Sequence, residues 1–215
     1  MSLVIFDLDD TLLAGDSETA WANFMVKNGI VKEKGFVSQL EIFEKAYREG
    51  KLDINLYIKF LLNPIKGMSF LEVKSLSELF AKEIFNDFTD RLTNELISRH
   101  SEDQCIIVSG TLDFIVHEIS NLLGIEESLS TSAELKNGIF TGEIKGLPNF
   151  GKEKVKSIKE WLNNNSTIDD IEVFAYSDSI YDLPLLEYAD KPFAVSPDYG
   201  LRKIALEKGW EIIDR

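Results

Sequence analysis

Short apolar segments that each end in a polar cluster constrain the fold of this chain more than any other feature. They cover residues 3–6, 105–108, 172–176 and 192–195, and segments with helical periodicity follow the first three. Short apolar strands that alternate with helices are typical of a parallel sheet with helices on both faces. The sequence therefore predicts an α/β protein with a Rossmann-like, three-layer parallel sheet, in which ligands bind beyond the carboxyl ends of the strands.

A long insertion separates the first two predicted strands. Roughly 90 residues lie between them, far more than the usual crossover of about a dozen or more. Apolar residues recur at helical spacing in four segments of this stretch, which are 17–28, 34–48, 53–62 and 69–80. We therefore expect a helical cap over residues 16–81, inserted into a core of residues 1–15 and 82–215. Later in the chain, Asn137-Gly138 between two apolar segments predicts a hairpin turn.

Charge and composition limit the partners of the protein. The formal net charge is −14, from 23 basic and 37 acidic residues, which opposes binding to nucleic acid or to an anionic membrane surface. No apolar segment approaches the length of a membrane-spanning helix, and the first residues lack the basic region of a signal peptide. The expected location is therefore the cytoplasm. A site for a phosphate group in such an acidic protein needs its own local positive charge.

Two aspartates follow the first predicted strand directly. Asp7 and Asp9 alternate along the chain, so their side chains leave the same face and converge above the sheet. Their repulsion would be relieved by a divalent cation that prefers oxygen ligands, and Mg²⁺ commonly takes one or two carboxylates. Asp178 and Asp182, after the third strand, could complete the cation site. Taken alone, the paired aspartates also fit a solvated loop or a helix cap.

The second polar cluster and a later lysine suit an anion. Ser109 and Gly110 offer a hydroxyl and backbone amides at a predicted helix N-terminus. Lys152 begins a further predicted helix and could bring an ammonium group to the same edge of the sheet. Each residue also has a simpler interpretation, since Ser109 could be a plain helix cap and Lys152 a solvated surface lysine.

These elements, in this order, resemble the haloacid dehalogenase superfamily, in the branch that contains phosphoserine phosphatases. The resemblance covers nearly the whole chain and rests on Asp7-Leu8-Asp9-Asp10-Thr11, Ser109, Lys152 and the segment 177–182. Residues 12–17 and the closing segment 195–213 are similar to a related group that includes histidinol-phosphatases. The resemblance implies a Rossmann-like sheet with a helical cap after the first strand, and a phosphatase acting on a small phosphorylated metabolite.

The resemblance also implies residue roles for the reaction. Asp7 would attack phosphorus and become an aspartyl-phosphate, while Asp9 would protonate the leaving alcohol and then activate water. Ser109, the amide of Gly110 and Lys152 would hold the phosphoryl oxygens.

A bound Mg²⁺ is the implied cofactor. Its ligands would be Asp7, the backbone carbonyl of Asp9, and Asp178. Asp182 would orient a metal-bound water or Lys152 from behind these ligands.

Three positions bear on the substrate. Asp16 stands where phosphoserine phosphatases have an acidic residue that meets the substrate ammonium, although Asp16 could equally cap the helix that begins at Ser17. Lys59 aligns with an arginine that binds the substrate carboxylate in phosphoserine phosphatases. A lysine cannot make the two parallel hydrogen bonds that an arginine makes with a carboxylate. Tyr181 replaces a frequent asparagine. The sequence therefore favours an amine-bearing substrate that need not carry a carboxylate, phosphoserine-like or histidinol phosphate-like.

Two other functions stay open at this point. A phosphotransferase would use the same intermediate on Asp7 and pass the phosphoryl group to an acceptor alcohol. A non-catalytic regulator would bind metal or phosphate without turnover, which the intact pair of Asp7 and Asp9 argues against.

Overall fold

The computed structural model of the protein describes residues 2–31, 33–165 and 171–215. Within these residues, a parallel six-stranded sheet has the order β3-β2-β1-β6-β7-β8, and a separate antiparallel hairpin consists of β4 and β5. The strands are β1 (Leu3–Phe6), β2 (Gln104–Leu112), β3 (Glu127–Thr131), β4 (Ala133–Lys136), β5 (Ile139–Ile144), β6 (Val173–Ser177), β7 (Lys191–Val195) and β8 (Glu211–Ile213). The predicted α/β class with a mostly parallel sheet is confirmed.

Helices connect the strands of the sheet. They are α1 (Ser17–Lys27), α2 (Glu33–Arg48), α3 (Ile54–Leu62), α4 (Phe70–Phe88), α5 (Arg91–Arg99), α6 (Asp113–Leu123), α7 (Lys152–Asn164), α8 (Leu183–Tyr188) and α9 (Tyr199–Lys208). In the described residues, no helix is both long and apolar enough to cross a bilayer.

The central strand β1 is completely buried and divides the core into two layers. Val4 and Phe6 belong to one apolar cluster, which includes side chains of α5 and α6. Leu3 and Ile5 point to the other face and belong to a second cluster, with side chains of α7, α8 and α9. Because successive side chains of a strand alternate between faces, an all-apolar strand of this kind requires helices on both sides. The three-layer arrangement follows directly.

The insertion between β1 and β2 is helical, but its predicted end at residue 81 falls inside α4. That helix runs unbroken from Phe70 to Phe88. Its buried side chains Val73, Phe80 and Ile84 continue at helical spacing through residue 81, so nothing there favours a boundary. A separate cap over residues 16–81 stays a prediction.

The hairpin of β4 and β5 has its turn at Asn137 and Gly138, as predicted. Both residues have positive φ, 51° and 77°, which is the backbone conformation that an Asn-Gly turn provides. Backbone hydrogen bonds tie the hairpin to the insertion: Gly67 N–H donates to the Phe140 carbonyl at 2.9 Å, and Phe140 N–H donates to the Met68 carbonyl at 2.9 Å. Any movement of this part of the insertion would therefore involve the hairpin.

Candidate active site

The carboxyl ends of β1, β2 and β6 bring the predicted polar residues together. Phe6, the last residue of β1, pairs with Ile107 of β2 and with Tyr176 of β6, so Asp7, Ser109 and Asp178 lie one or two residues beyond the same level of the sheet. The cavity at this edge has a volume of about 470 Å³. Its lining includes eight of the predicted residues: Asp7, Asp9, Asp16, Ser109, Gly110, Asp178, Tyr181 and Asp182.

The lysine of this cavity is Lys154, and the prediction of Lys152 is wrong. Lys154 Nζ lies 2.6 Å from Asp7 Oδ1 and 2.6 Å from Asp182 Oδ2, and its side chain is buried. Lys152 is exposed in the first turn of α7 and does not line the cavity. Since each helical residue rotates by about 100°, two residues separate opposite sides of a helix. Ile158, one turn after Lys154, is buried, and this spacing was the sequence signal for the inward-facing lysine.

Burial dominates the electrostatics around Asp7. Burial raises its pKa and the Lys154 ammonium lowers it, while Asp182 raises it again, so that the pKa is about 6. Burial opposes the charge of Lys154 as well, but the carboxylates of Asp182 and Asp7 raise its pKa above the ordinary value. Lys154 is therefore an ammonium group held between two acids.

Asp178 is a further buried carboxyl group of the cavity. Burial raises its pKa well above the ordinary value, and the nearby Asp7 and Asp10 add to this effect. Thr11 Oγ1 donates a hydrogen bond to Asp178 Oδ1 at 3.2 Å. A cation placed between Asp7 and Asp178 would offset this repulsion.

Two donors fix the carboxyl group of Asp9. Ser17 N–H, in the first turn of α1, donates to Oδ1 at 2.7 Å, and the Thr111 hydroxyl donates to Oδ2 at 2.6 Å. Burial raises the pKa of Asp9 to about 7, with a further contribution from the charge of Asp16. A carboxyl group with this pKa can give and take a proton near neutral pH.

The predicted substrate residues divide into two groups. Asp16 lines the cavity and also caps α1, because its Oδ1 accepts the Thr19 N–H at 2.6 Å. The ring of Tyr181 lies 5.1 Å from that of Tyr47 on the cavity wall. Lys59 is outside the cavity, and its prediction is wrong. Its side chain is 58% exposed and pairs with Glu143 of the hairpin at 3.2 Å, because α3 turns its buried side chains Tyr57 and Ile58 inward instead.

Besides Lys154, several lining residues were not predicted, and four of them bear on the chemistry of the site. Thr111 belongs to the Ser-Gly-Thr cluster, which was a usable signal, although the cluster lies in the last part of β2 and the following helix begins only at Asp113, so the predicted helix N-terminus at Ser109 and Gly110 is wrong. Glu18, Tyr47 and Tyr57 lie on helices of the insertion and also line the cavity. Tyr47 and Ser179 share a hydrogen bond of 3.0 Å between their hydroxyl groups, which links α2 to the loop after β6. Helical periodicity alone did not distinguish these side chains from ordinary core or surface residues.

A second and larger cavity, of about 710 Å³, does not contain this chemistry. It lies against α4, α6, α7 and the hairpin, and its acidic lining residues are Asp113, Glu118, Glu153 and Glu160. None of the carboxylates at the ends of β1 and β6 reaches it. The smaller cavity is therefore the candidate active site.

Comparisons with known proteins agree on one family. The family model for haloacid dehalogenase-like hydrolases matches residues 4–187. A histidinol-phosphatase from Neisseria meningitidis serogroup C is 34% identical over 99% of this chain and 98% of its own length. Phosphoserine phosphatase SerB1 from Mycobacterium tuberculosis is 30% identical, covering 97% of this chain and 69% of the relative.

A solved structure gives the same answer for the fold. The crystal structure of a protein of unknown function from Bordetella pertussis Tohama I superposes with a TM-score of 0.89 at 31% identity, covering 99% of this chain and 97% of that one. The family model spans β1, β2 and β6, the three strands whose ends form the cavity. The chain belongs to the haloacid dehalogenase-like hydrolase family.

Proposed function

We propose that the protein is a Mg²⁺-dependent phosphatase that hydrolyses a small phosphate monoester through an aspartyl-phosphate formed on Asp7. One observation carries the proposal: buried Asp7 has the Lys154 ammonium 2.6 Å from its Oδ1, in the cavity that also contains Asp9. A nucleophile, a cation for the phosphoryl group and a proton donor then share one cavity. Hydrolysis of a monoester through a covalent intermediate requires these three groups.

The reaction would proceed in two displacements at phosphorus. A carboxylate oxygen of Asp7 attacks phosphorus, the bond from phosphorus to the alcohol oxygen breaks, and Asp9 gives its proton to that oxygen. Asp9, now a carboxylate, takes a proton from a water molecule as this water attacks the aspartyl-phosphate. The products are inorganic phosphate and free Asp7. Because each displacement spreads negative charge over the phosphoryl oxygens, donors aimed at them accelerate both steps.

Three residues would bind those oxygens. Ser109 and Gly110 lie in the last part of β2 and line the cavity, to which they offer a hydroxyl and a backbone amide. The Lys154 ammonium has three N–H donors, and two of them point to Asp7 and Asp182. The third donor is the one that we assign to the phosphoryl group. Lys154 therefore takes the role that the sequence suggested for Lys152.

The chemistry of the available donors fits Mg²⁺. In the described residues, no three side chains of His, Cys, Asp or Glu are already arranged as a metal cage. Mg²⁺ usually takes only one or two carboxylates together with waters and substrate oxygens, which suits Asp7 and Asp178 with the backbone carbonyl of Asp9. Burial and the neighbouring Asp7 and Asp10 raise the pKa of Asp178, and a cation would favour its ionised form. When bound, Mg²⁺ would supply positive charge for the phosphoryl oxygens.

The relatives support a small metabolite as the substrate. The two relatives are named as a histidinol-phosphatase and a phosphoserine phosphatase. A cavity of about 470 Å³ accommodates an ester of that size. We therefore propose a phosphoserine-like or histidinol phosphate-like ester as the substrate of this chain, in the cytoplasm.

Turnover of p-nitrophenyl phosphate tests the proposal directly. We expect release of inorganic phosphate in the presence of Mg²⁺, and its loss on addition of a chelator, with recovery when Mg²⁺ is returned in excess. Adding an acceptor alcohol distinguishes a phosphotransferase, because a new phosphate ester would then form. If neither p-nitrophenyl phosphate nor other small esters are cleaved with Mg²⁺, the proposal is wrong and a non-catalytic role is favoured.

Thr111 is expected to matter through Asp9. Replacing the hydroxyl by a methyl group in Thr111→Val removes the 2.6 Å hydrogen bond that orients the Asp9 carboxyl, while the side chain keeps its shape and burial. We expect kcat to fall about tenfold or more for an alkyl phosphate. The fall should be smaller for p-nitrophenyl phosphate, whose leaving group needs little protonation. Thr111→Ser retains the hydroxyl and should retain most of the activity; equal losses in both variants would contradict a role of the hydrogen bond.

The stability of the metal-free protein should fall as the pH rises. Asp7 and Asp9 have folded-state pKa values of about 6 and about 7, above the ordinary value of 3.8. The folded state therefore binds more protons than the unfolded chain between about pH 4 and pH 7. The stabilisation that these protons give to the fold is complete below about pH 4 and is lost as the pH rises through 6 and 7. Mg²⁺ should accordingly raise Tm by a few degrees more at pH 7.5 than at pH 5.5.

Thermal unfolding with and without Mg²⁺ at both pH values measures this effect. Asp178→Asn serves as the control, because it removes a proposed ligand and should abolish most of the increment. The same increment at pH 5.5 and pH 7.5 would contradict the assignment of these carboxylates to the metal.

A further inference from the structure

The candidate active site has two chemically different ends. Lys154, Ser109 and Gly110 lie at the phosphate end, beside Asp7. The other end lies between α1, α2 and α3, where acidic and aromatic side chains form the wall: Asp16, Glu18, Phe43, Glu44 and Tyr57. Asp9 stands between the two ends, because its Oδ1 accepts the N–H of Ser17, the residue before Glu18. The second end is therefore on the side where the leaving alcohol would receive its proton.

Glu18 is the buried carboxyl group of this end. It is only 8% exposed, and its Oε1 accepts the Leu112 N–H at 3.3 Å. The Tyr57 hydroxyl is close enough to lower the pKa of Glu18. In the part of the chain that the structure describes, Glu18 makes no ion pair within 4.0 Å. Its pKa is raised well above the ordinary value by burial, and further by Asp16 and Asp9. A buried carboxylate without a counter-charge is unfavourable, and a cationic ligand would offset it.

The aromatic walls favour an organic cation at this position. Tyr57 lies against Glu18 and, with a centroid distance of 5.4 Å, packs edge-on against Phe43. Aromatic rings attract an ammonium or imidazolium group through their negative faces. The buried carboxylate and the aromatic rings therefore both favour a cationic ligand, through two independent physical effects.

A carboxylate on the substrate would find no free cationic partner among the described lining residues. Among the described lining residues there are nine acidic side chains and one lysine, Lys154. Lys154 already contacts Asp7 and Asp182 at the phosphate end. Lys59, the residue that sequence comparison suggested for a carboxylate, is outside the cavity and pairs with Glu143. A carboxylate on the leaving alcohol would therefore meet repulsion at the Glu18 end.

We propose that the substrate is the phosphate ester of an alcohol that carries a protonated amine and no carboxylate, and that Glu18 is the residue that selects it. Tyr57 orients Glu18 and covers the cation. The proposal rests on the proposed phosphatase function, because a cation site next to Asp9 acts on specificity only if the phosphate end binds and cleaves an ester.

Three esters that differ in charge test the proposal on the Mg²⁺-loaded protein. Aminoethyl phosphate carries the cation, propyl phosphate has the same number of heavy atoms without charge, and O-phosphoserine adds a carboxylate. We expect kcat/KM for aminoethyl phosphate to exceed that for each of the other two by about tenfold or more, which is the effect of one charged hydrogen bond. Equal values for aminoethyl and propyl phosphate, or a preference for O-phosphoserine, would overturn the proposal.

Variants assign the preference to Glu18. In Glu18→Gln, the ratio of kcat/KM for aminoethyl phosphate to that for propyl phosphate should fall by about tenfold, towards one. Tyr57→Phe should lower the same ratio by a smaller factor, and it tests the site even if Glu18→Gln fails to fold. Glu41→Gln removes the same charge from an exposed position of α2 and should leave the ratio as in the wild type.

The possible failures are distinguishable. If none of the esters nor p-nitrophenyl phosphate is cleaved, the phosphatase proposal itself fails. If all three esters are cleaved and Glu18→Gln leaves their ratio unchanged, only the assignment of the cation site is overturned.

Discussion

Asp7→Asn is expected to reduce phosphatase turnover by at least about 10³-fold while the protein stays folded. The amide nitrogen and oxygen of asparagine have the shape of the carboxylate but cannot form the aspartyl-phosphate. Because a missing nucleophile removes the covalent pathway as a whole, the loss should appear in kcat for every ester tested. Initial rates with p-nitrophenyl phosphate and with an alkyl phosphate measure it.

The Tm of Asp7→Asn distinguishes a loss of catalysis from a loss of folding. Burial and the charge of Asp182 raise the pKa of Asp7 to about 6, despite Lys154, so the ionised carboxylate that predominates at pH 7.5 is less favourable for the folded protein than a neutral group. A neutral asparagine should therefore leave Tm of the metal-free protein at pH 7.5 at or above that of the wild type. Asp87→Asn, on an exposed part of α4, is the matched control and should keep full activity. Substantial turnover in well-folded Asp7→Asn would rule out the covalent mechanism.

Lys154→Met should affect both stability and activity. The ammonium of Lys154 compensates Asp7 and Asp182, each at 2.6 Å, and all three side chains are buried. Removing one partner of such a network leaves buried charge unpaired, which costs about 3 kcal/mol or more of the free energy of unfolding. Loss of the donor to the phosphoryl oxygens should lower kcat about 10²- to 10³-fold. Denaturant unfolding and steady-state kinetics measure the two effects.

Two further substitutions make this test independent of folding. Lys152→Met removes the same charge two residues earlier, at an exposed position, and should change the free energy of unfolding by no more than about 0.5 kcal/mol and leave turnover unchanged. Lys154→Arg keeps the charge but not the compact ammonium geometry, so we expect a folded protein with reduced kcat. Loss of activity in Lys152→Met with a fully active Lys154→Met would return the role to Lys152.

Much of the fold was predictable because its signals are local. The apolar segments that became β1, β2, β6 and β7 are buried strands, and such strands require helices on both faces. The turn at Asn137 and Gly138 depends only on the positive φ that these two residue types tolerate. The end of the insertion at residue 81 stays a prediction, and α4 runs through that position from Phe70 to Phe88.

In the candidate site, too, only part of the arrangement could be predicted from the sequence. Asp7, Asp9 and Asp178 follow strands and Ser109 lies in the last part of β2. Because parallel strands end at one edge of the sheet, the convergence of these residues could be inferred from the order of motifs alone. Lys152 and Lys59 were wrong because both belong to helices, where a rotation of about 100° per residue decides which side chain faces the cavity. Glu18 and Tyr57 were missed for the same reason.

The sequence by itself determined the sheet, the strand ends and the carboxylates that stand there, because backbone pairing and apolar patterning act over a few residues. Only the tertiary structure decided that Lys154 contacts Asp7, that Thr111 and Ser17 hold Asp9, and that Glu18 is buried at the far end of the cavity. These contacts join residues that are far apart in the chain, from 8 positions for Ser17 and Asp9 to 147 for Lys154 and Asp7. Their formation depends on how helices rotate and pack on the sheet, and that packing is a property of the whole core.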